Sequence, residues 1–158
     1  MEIRKASALD ALVLSRMNLH VQQMHAEAYP DLFKMPQSDD FAVPFFTSMI
    51  HDPEVHIFIA EESELPMGYI VLRIVKREEH AFMRSRRQVY IDQIGVQPEH
   101  QGKGVGTALM AHAEKLAQEE GMDFVALDSW DFNKEAHQFF FSRGYQTYKL
   151  QMWKKVGD

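Results

Sequence analysis

The sequence predicts a mixed α/β (α+β) fold, and three observations carry that expectation. Apolar positions change period along the chain, from three- and four-residue steps to runs of β-branched and aromatic residues. Strands in the first half follow one another through short connections. Those in the second half alternate with helices, which implies a crossover and a locally parallel pair. Antiparallel strands first and a crossover later give a mixed, mostly antiparallel central sheet of six to seven strands, flanked by about four helices.

The elements follow in order. Residues 2–6 suit a short strand. From Leu9 to about Tyr29, Leu9, Leu12, Val13, Met17, Val21 and Met24 recur on one helical face, with Ser7 or Asp10 as cap and Tyr29-Pro30 as stop. Residues 30–40 read as a loop, and a weaker helix covers 39–51, ending at His51-Asp52-Pro53. Val55 to Ala60, Tyr69 to Val75 and Gln88 to Val96 read as strands, with Leu65-Pro66-Met67-Gly68 as a turn and Arg77 to Arg87 as a polar hairpin connection. A helix follows from about Gly104 to Glu120, stopped by Gly121. Phe124 to Leu127 is a short strand, Asn133 to Arg143 a helix closed by Gly144, and 145–155 one or two final strands.

A length of 158 residues suits a single domain, 1–158. Charged residues are 25% and apolar residues 46%, ordinary for a globular chain. The formal charge of -6 opposes wholesale nucleic-acid binding and permits a cationic substrate. The absence of cysteine excludes disulfides, thiolate metal sites and a cysteine nucleophile. No apolar run reaches the roughly 18 residues of a membrane span, and Met1-Glu2-Ile3-Arg4-Lys5 lacks the apolar core of a secretion signal, so a cytoplasmic location is expected. The eight histidines show no metal-ligand spacing, and no metal is expected.

The informative segment follows the strand that ends at Val96. A short loop leads into a helix that opens in glycines: Gln101-Gly102-Lys103-Gly104-Val105-Gly106-Thr107. Amides at a helix start lack intrahelical partners, the helix dipole adds positive potential, and Lys103 adds a full charge. That assembly suits a phosphate or diphosphate. The triphosphatase loop is ruled out because no Gly-Lys-Ser/Thr triplet occurs. The dinucleotide fingerprint fails because Thr107 or Leu109 stands where its third glycine belongs.

Gln101-x-x-Gly104-x-Gly106 resembles the acetyl-CoA signature of the GNAT superfamily of acyl-CoA-dependent N-acetyltransferases. A second signature is similar too: Asn133, Ala136, the aromatic pair Phe139-Phe140, then Gly144-Tyr145. The resemblance is strong from about 88 to 145. It implies a splayed strand pair whose gap takes the pantetheine arm of acetyl-CoA, paired with the backbone of Ile94, Gly95 and Val96. It also implies that the diphosphate sits on the amides of Gly102 to Thr107, among them Lys103 and Val105, and that Asn133 contacts the arm. Asn133 equally suits a helix N-cap. Phe140 takes the place where the family often has a tyrosine acid near the departing sulfur, and it has no proton to donate. Tyr145, Tyr148, Ser129 or a water are the candidates to replace it. An attacking amine must lose a proton. Asp92 and Asp128 are alternative general bases, with His100 behind them.

What the resemblance implies is transfer of acetyl from acetyl-CoA to a primary amine, small molecule or peptide N-terminus, by direct attack in a ternary complex. The alternative is a catalytically weak or inactive acyl-CoA-binding sensor or regulatory module, with which Phe140 is compatible. The acceptor is unidentified; neither nucleic acid nor membrane is an expected partner, and a homodimer is left open. The basic residues around the hairpin, Arg73, Lys76, Arg77, Arg84, Arg86 and Arg87, read as a solvated connection or as a contact to the coenzyme's 3′-phosphate.

Overall fold

The computed structural model describes residues 1–157. It divides into two compact units, Met1–Asp128 and 129–157. In the first, β1 (Glu2–Lys5), α1 (Ala11–Ala28), α2 (Val43–His51), β2 (Val55–Glu62), β3 (Leu65–Arg77), β4 (Arg86–Val96), α3 (Val105–Glu119) and β5 (Phe124–Leu127) follow in order. The strands form one sheet in chain order, antiparallel from β1 through β4 and parallel between β4 and β5.

The start of α1 shows how local chemistry sets its phase. Ser7 and Asp10 form a reciprocal cap over a 3-10 turn at Ala8–Asp10, with the Ser7 amide donating to the Asp10 carboxylate at 2.7 Å. That turn displaces the helical phase. The buried seam becomes Ala11, Leu14 and Met17, while Leu9, expected on the apolar face, is exposed. Arg4 of β1 donates to Asp10 through Nη1 and Nη2 at 2.9 and 2.8 Å and to Glu61 of β2 through Nε at 2.9 Å. These donors from Arg4, with the Ser7 bonds, hold the Asp10 carboxyl at about 2 against burial, which opposes them.

Side chains alternate across the strands, so the sheet has two apolar faces. On one, Ile57, Ile59, Tyr69 and Val71 pack with Leu14, Met17, Phe46 and Met49 of α1 and α2. On the other, α3 lies over β2–β4, with Phe58 against His112 at a centroid distance of 4.3 Å. Burial there, with Lys115 nearby, lowers the His112 pKa.

Two expectations need correction. The first hairpin turns at Ser63-Glu64, both with positive φ (50° and 64°), and Leu65 already belongs to β3. Two-residue turns of this shape usually use Asn-Gly, so Ser-Glu carried no turn signal. The sheet has five strands, not six to seven. In the second unit α4 (Lys134–Ser142) forms as expected, but residues 145–155 contain no strand. Alternating side chains supply a preference for extension, but a strand also needs a hydrogen-bonding neighbour.

Candidate active site

The site begins where β4 and β5 part. They pair only from Gln88↔Phe124 to Ile91↔Leu127, and β4 continues to Val96. From Asp92 to Val96, the edge of β4 away from β3 therefore carries no strand of the sheet. Ile94, Gly95 and Val96 lie in this stretch. Gly95 is required for packing. A Cβ there would stand 2.8 Å from the Tyr69 ring, closer than any ordinary contact.

Beyond Val96 the chain makes a 3-10 turn at Pro98–His100. Gln101 closes the loop, its Nε2 donating to the Val96 carbonyl at 3.2 Å. Gly102 and Gly104 follow with φ of 72° and 83°, in left-handed backbone that favours glycine, and a Cβ on either would meet nothing within 4 Å. No side chain caps α3, and its first internal bond runs from the Ala108 amide to the Gly104 carbonyl at 3.0 Å. The amides of Val105, Gly106 and Thr107 thus precede the helical ladder, beside Lys103, around an open approach. This is the geometry an anion needs.

Both candidate bases lie near the parting strands, in different company. Asp92 is the extra residue of a β-bulge, since Val71 faces Gln93 and Leu72 faces Ile91. Its carboxylate meets Arg73 Nε at 3.4 Å, and the same guanidinium reaches Asp52 at 3.6 Å. Asp128, one residue past β5, accepts a hydrogen bond from the Tyr90 hydroxyl. His100 donates its backbone amide to Gln97 within the 3-10 turn.

The sequence reading missed a polar cluster beneath the bulge. Asn18 Nδ2 donates to the Tyr69 hydroxyl at 2.6 Å and to Gln93 Oε1 at 3.3 Å, and Tyr69 donates to Gln93 at 3.0 Å. Complete burial raises the Tyr69 pKa, and the Asp92 charge adds to that. The phenol therefore serves as a fixed neutral donor. Its visible signal was a tyrosine within the apolar run Tyr69 to Leu72 and a glutamine next to Ile94.

Asn133 and Phe140 belong to the second unit. Asn133 is the cap of α4, its Oδ1 accepting from the Ala136 amide at 3.3 Å. Phe140 is buried, its ring 5.5 Å from Phe139 and 6.2 Å from Tyr145. The basic hairpin is not part of the glycine loop's surroundings. It joins β3 to the opposite end of β4, which favours the solvated connection over the alternative of a 3′-phosphate contact. Among the described residues, no group of three or more metal-binding side chains comes together, and no helix is long and apolar enough to cross a membrane.

Parted strands and an uncapped glycine turn on a mixed sheet place an anion-binding turn beside an open strand edge. A sequence profile described as "Acetyltransferase (GNAT) family" matches residues 19–145, and the chain belongs to that family. It is an N-acetyltransferase by class, and enzymes of this family use acetyl-CoA. The chain is 28% identical over 111 residues to an aminoalkylphosphonate N-acetyltransferase of Salmonella typhimurium, covering 70% of each. The tetramutant of the BH1408 protein from Bacillus halodurans shares the fold at a TM-score of 0.91 and 24% identity, over 99% of this chain and 100% of that one. Aminoglycoside N-acetyltransferase AAC(6')-Iy, solved in complex with CoA, does so at 0.69 and 16%, over 98% and 93%.

Proposed function

We propose that the chain transfers acetyl from acetyl-CoA to a primary amine by direct attack in a ternary complex. The observation that carries this is the uncapped amide turn at Gly102–Thr107, placed at the end of a strand whose outer edge is open. The diphosphate rests on those amides and on Lys103, and the pantetheine arm runs along Ile94, Gly95 and Val96. A backbone amide of that stretch stabilises the thioester oxygen as it gains charge. The amine nitrogen attacks the carbonyl carbon, the C–S bond breaks, and the coenzyme leaves as a thiolate. A thiol pKa near ~8.5 makes that departure feasible without a tyrosine acid, which is how the reaction tolerates Phe140.

Asp128 takes the amine's proton. Asp92 is the weaker alternative because its carboxylate is committed to Arg73, whereas Asp128 is held by a neutral phenol. The acceptor is a small amine in this reading. The named activity of the Salmonella relative supports that class, and two carboxylates, Asp52 and Asp92, sharing one Arg73 leave net negative charge that suits a cationic group. A peptide N-terminus is the other acceptor class.

The test is release of free thiol across a panel of amines and peptides, with acetyl-CoA binding followed by calorimetry. Saturable binding and amine-dependent thiol release are expected, with Asp128→Asn losing more turnover than Asp92→Asn. Absence of saturation with acetyl-CoA would sink the reading. Because Phe140 lacks a hydroxyl, a coenzyme-sensing module is the second reading. Binding without turnover on every acceptor would favour it.

A further inference from the structure

The β3–β4 connection gathers positive charge against the preference of its own strands. In register, Arg77 stands opposite Arg86, and Lys76 opposite Arg87. Like charges facing each other across an antiparallel pair destabilise it. Arg87 finds a carboxylate, Asp123, at 3.7 Å. Arg86 fares worse: its Nε is buried and donates to nothing among the described residues. From 76 to 87 the chain has five cations, Lys76, Arg77, Arg84, Arg86 and Arg87, and two acids, Glu78 and Glu79, in a protein whose overall charge is -6.

Four of these cations, Lys76, Arg77, Arg84 and Arg86, line one cleft of about 300 Å³ with His80 and a single acid, Glu78. The tip is ordered: His80 and Met83 exchange backbone bonds of 3.0 and 3.3 Å, and the Phe82 amide donates to His80 Nδ1 at 3.2 Å. That turn holds the Phe82 ring 92% exposed. An isolated surface phenylalanine needs no explanation. Phe82 stands between His80 and Met83, which line the cationic cleft, and there it offers a face for a flat ring.

We propose that this cleft binds a phosphate-bearing small molecule, a diphosphate or nucleoside diphosphate, between Arg77, Arg84 and Arg86. Phosphate oxygens placed between facing guanidiniums turn repulsion into paired, charge-assisted hydrogen bonds. The ring of a nucleoside lies on Phe82. The site is separate from that of the coenzyme. β4 spans the eleven residues from Arg86 to Val96, about 33 Å at ~3.3 Å per residue. The diphosphate and 3′-phosphate of acetyl-CoA, carried on one ribose at the glycine turn, cannot reach it.

The test uses the full-length chain saturated with CoA, titrated with inorganic pyrophosphate in one arm and ADP in the other. Binding is read by calorimetry and by the ¹H–¹⁵N signals of arginine Nε. Saturable binding that persists under CoA is expected, with the Arg86 Nε signal moving. Affinity should fall about tenfold, the scale of one charge-assisted hydrogen bond, in Arg84→Gln and again in Arg84→Gln/Arg86→Gln. Tighter binding of ADP that Phe82→Ala abolishes identifies a nucleotide, and equal binding of both identifies diphosphate alone; either supports the site. Without ligand, Arg86→Gln should melt no lower than the unaltered protein, because it relieves a like-charge pair. Pyrophosphate should raise the melting temperature of the unaltered protein alone. Displacement by CoA, or equal affinity in the arginine variants, overturns the proposal. If CoA does not bind at all, the coenzyme reading fails, and the arginine variants still decide this one.

Discussion

Substituting Gly104 by alanine separates the glycine turn's conformational role from its proposed binding role. Gly104 has φ of 83°, and no atom lies within 4 Å of where a Cβ would stand. The unliganded protein therefore suffers no collision, only the cost of left-handed backbone, about 1–2 kcal/mol for an L-residue. A stiffer unfolded chain offsets up to about 1 kcal/mol of this. The net loss is about 1 kcal/mol, or about 2–4 °C in Tm for a chain of this size. Gly121 supplies the control, with φ of 62°, an equally open surrounding, and a position past the other end of α3. Gly121→Ala should lose about the same stability. The two variants should part on coenzyme. The new methyl on Gly104 enters the space the diphosphate needs and removes at least one amide contact to a charged group, about 1.5–3 kcal/mol, or about 10- to 150-fold in Kd. Calorimetric titration with CoA, beside thermal melting of both variants, makes the comparison. Equal CoA affinity in the two variants would show that the diphosphate does not sit on this turn.

Three further outcomes follow from packing and charge. Asp10→Asn should lose about 2 kcal/mol at neutral pH, because a carboxyl pKa lowered from 3.8 to about 2 stabilises the fold wherever it is ionised. That contribution is complete above the unfolded value and disappears as pH falls through about 2, so urea midpoints of variant and parent should converge in acid; a gap unchanged at low pH contradicts the assignment. Gly95→Ala should cost about 1–3 kcal/mol by overpacking against the Tyr69 ring, and should cost less in a Tyr69→Leu background, where equal losses in both backgrounds would exclude that contact as the cause. Ser15→Ala should cost about 1–3 kcal/mol in urea unfolding. The buried hydroxyl accepts from the Ala42 amide at 3.1 Å and donates to the Asp39 carbonyl at 2.8 Å, and a neutral effect would mean that water replaces it.

What could be read from the sequence was local. The strand ending at Val96, the glycine turn and α3 are contiguous, and their chemistry is written in residues a few positions apart. The five strands were legible for the same reason. The environment of each candidate base was not. Asp92 and Asp128 are similar in sequence and differ only through Arg73 and Tyr90, partners 19 and 38 residues away. Asn18 and Gln93 meet across 75 residues. Periodicity identifies which side chains share a face, but not which polar groups pair there. The run at 145–155 failed in the opposite way, since a strand's side-chain pattern was present and no strand formed.

The bulge at Asp92 ties these features together. Before it, Ile91 faces Leu72 on the α3 side of the sheet, and after it Gln93 faces Val71 on the α1 side. Without the extra residue, strict alternation would place Asp92 opposite Val71 and turn the Gln93 amide into the apolar layer beneath α3, where it would have no partner. With it, both Asp92 and Gln93 reach polar partners on the α1 face, and Gly95 arrives opposite Tyr69, the one β4 position where a buried aromatic ring lies against bare backbone. A bulge also adds local twist. β4 leaves β5 at this residue, because their last pair is Ile91↔Leu127. One inserted residue thus stands where the strands part, and it sets the Gln93 amide and the Asp92 carboxylate on the same face.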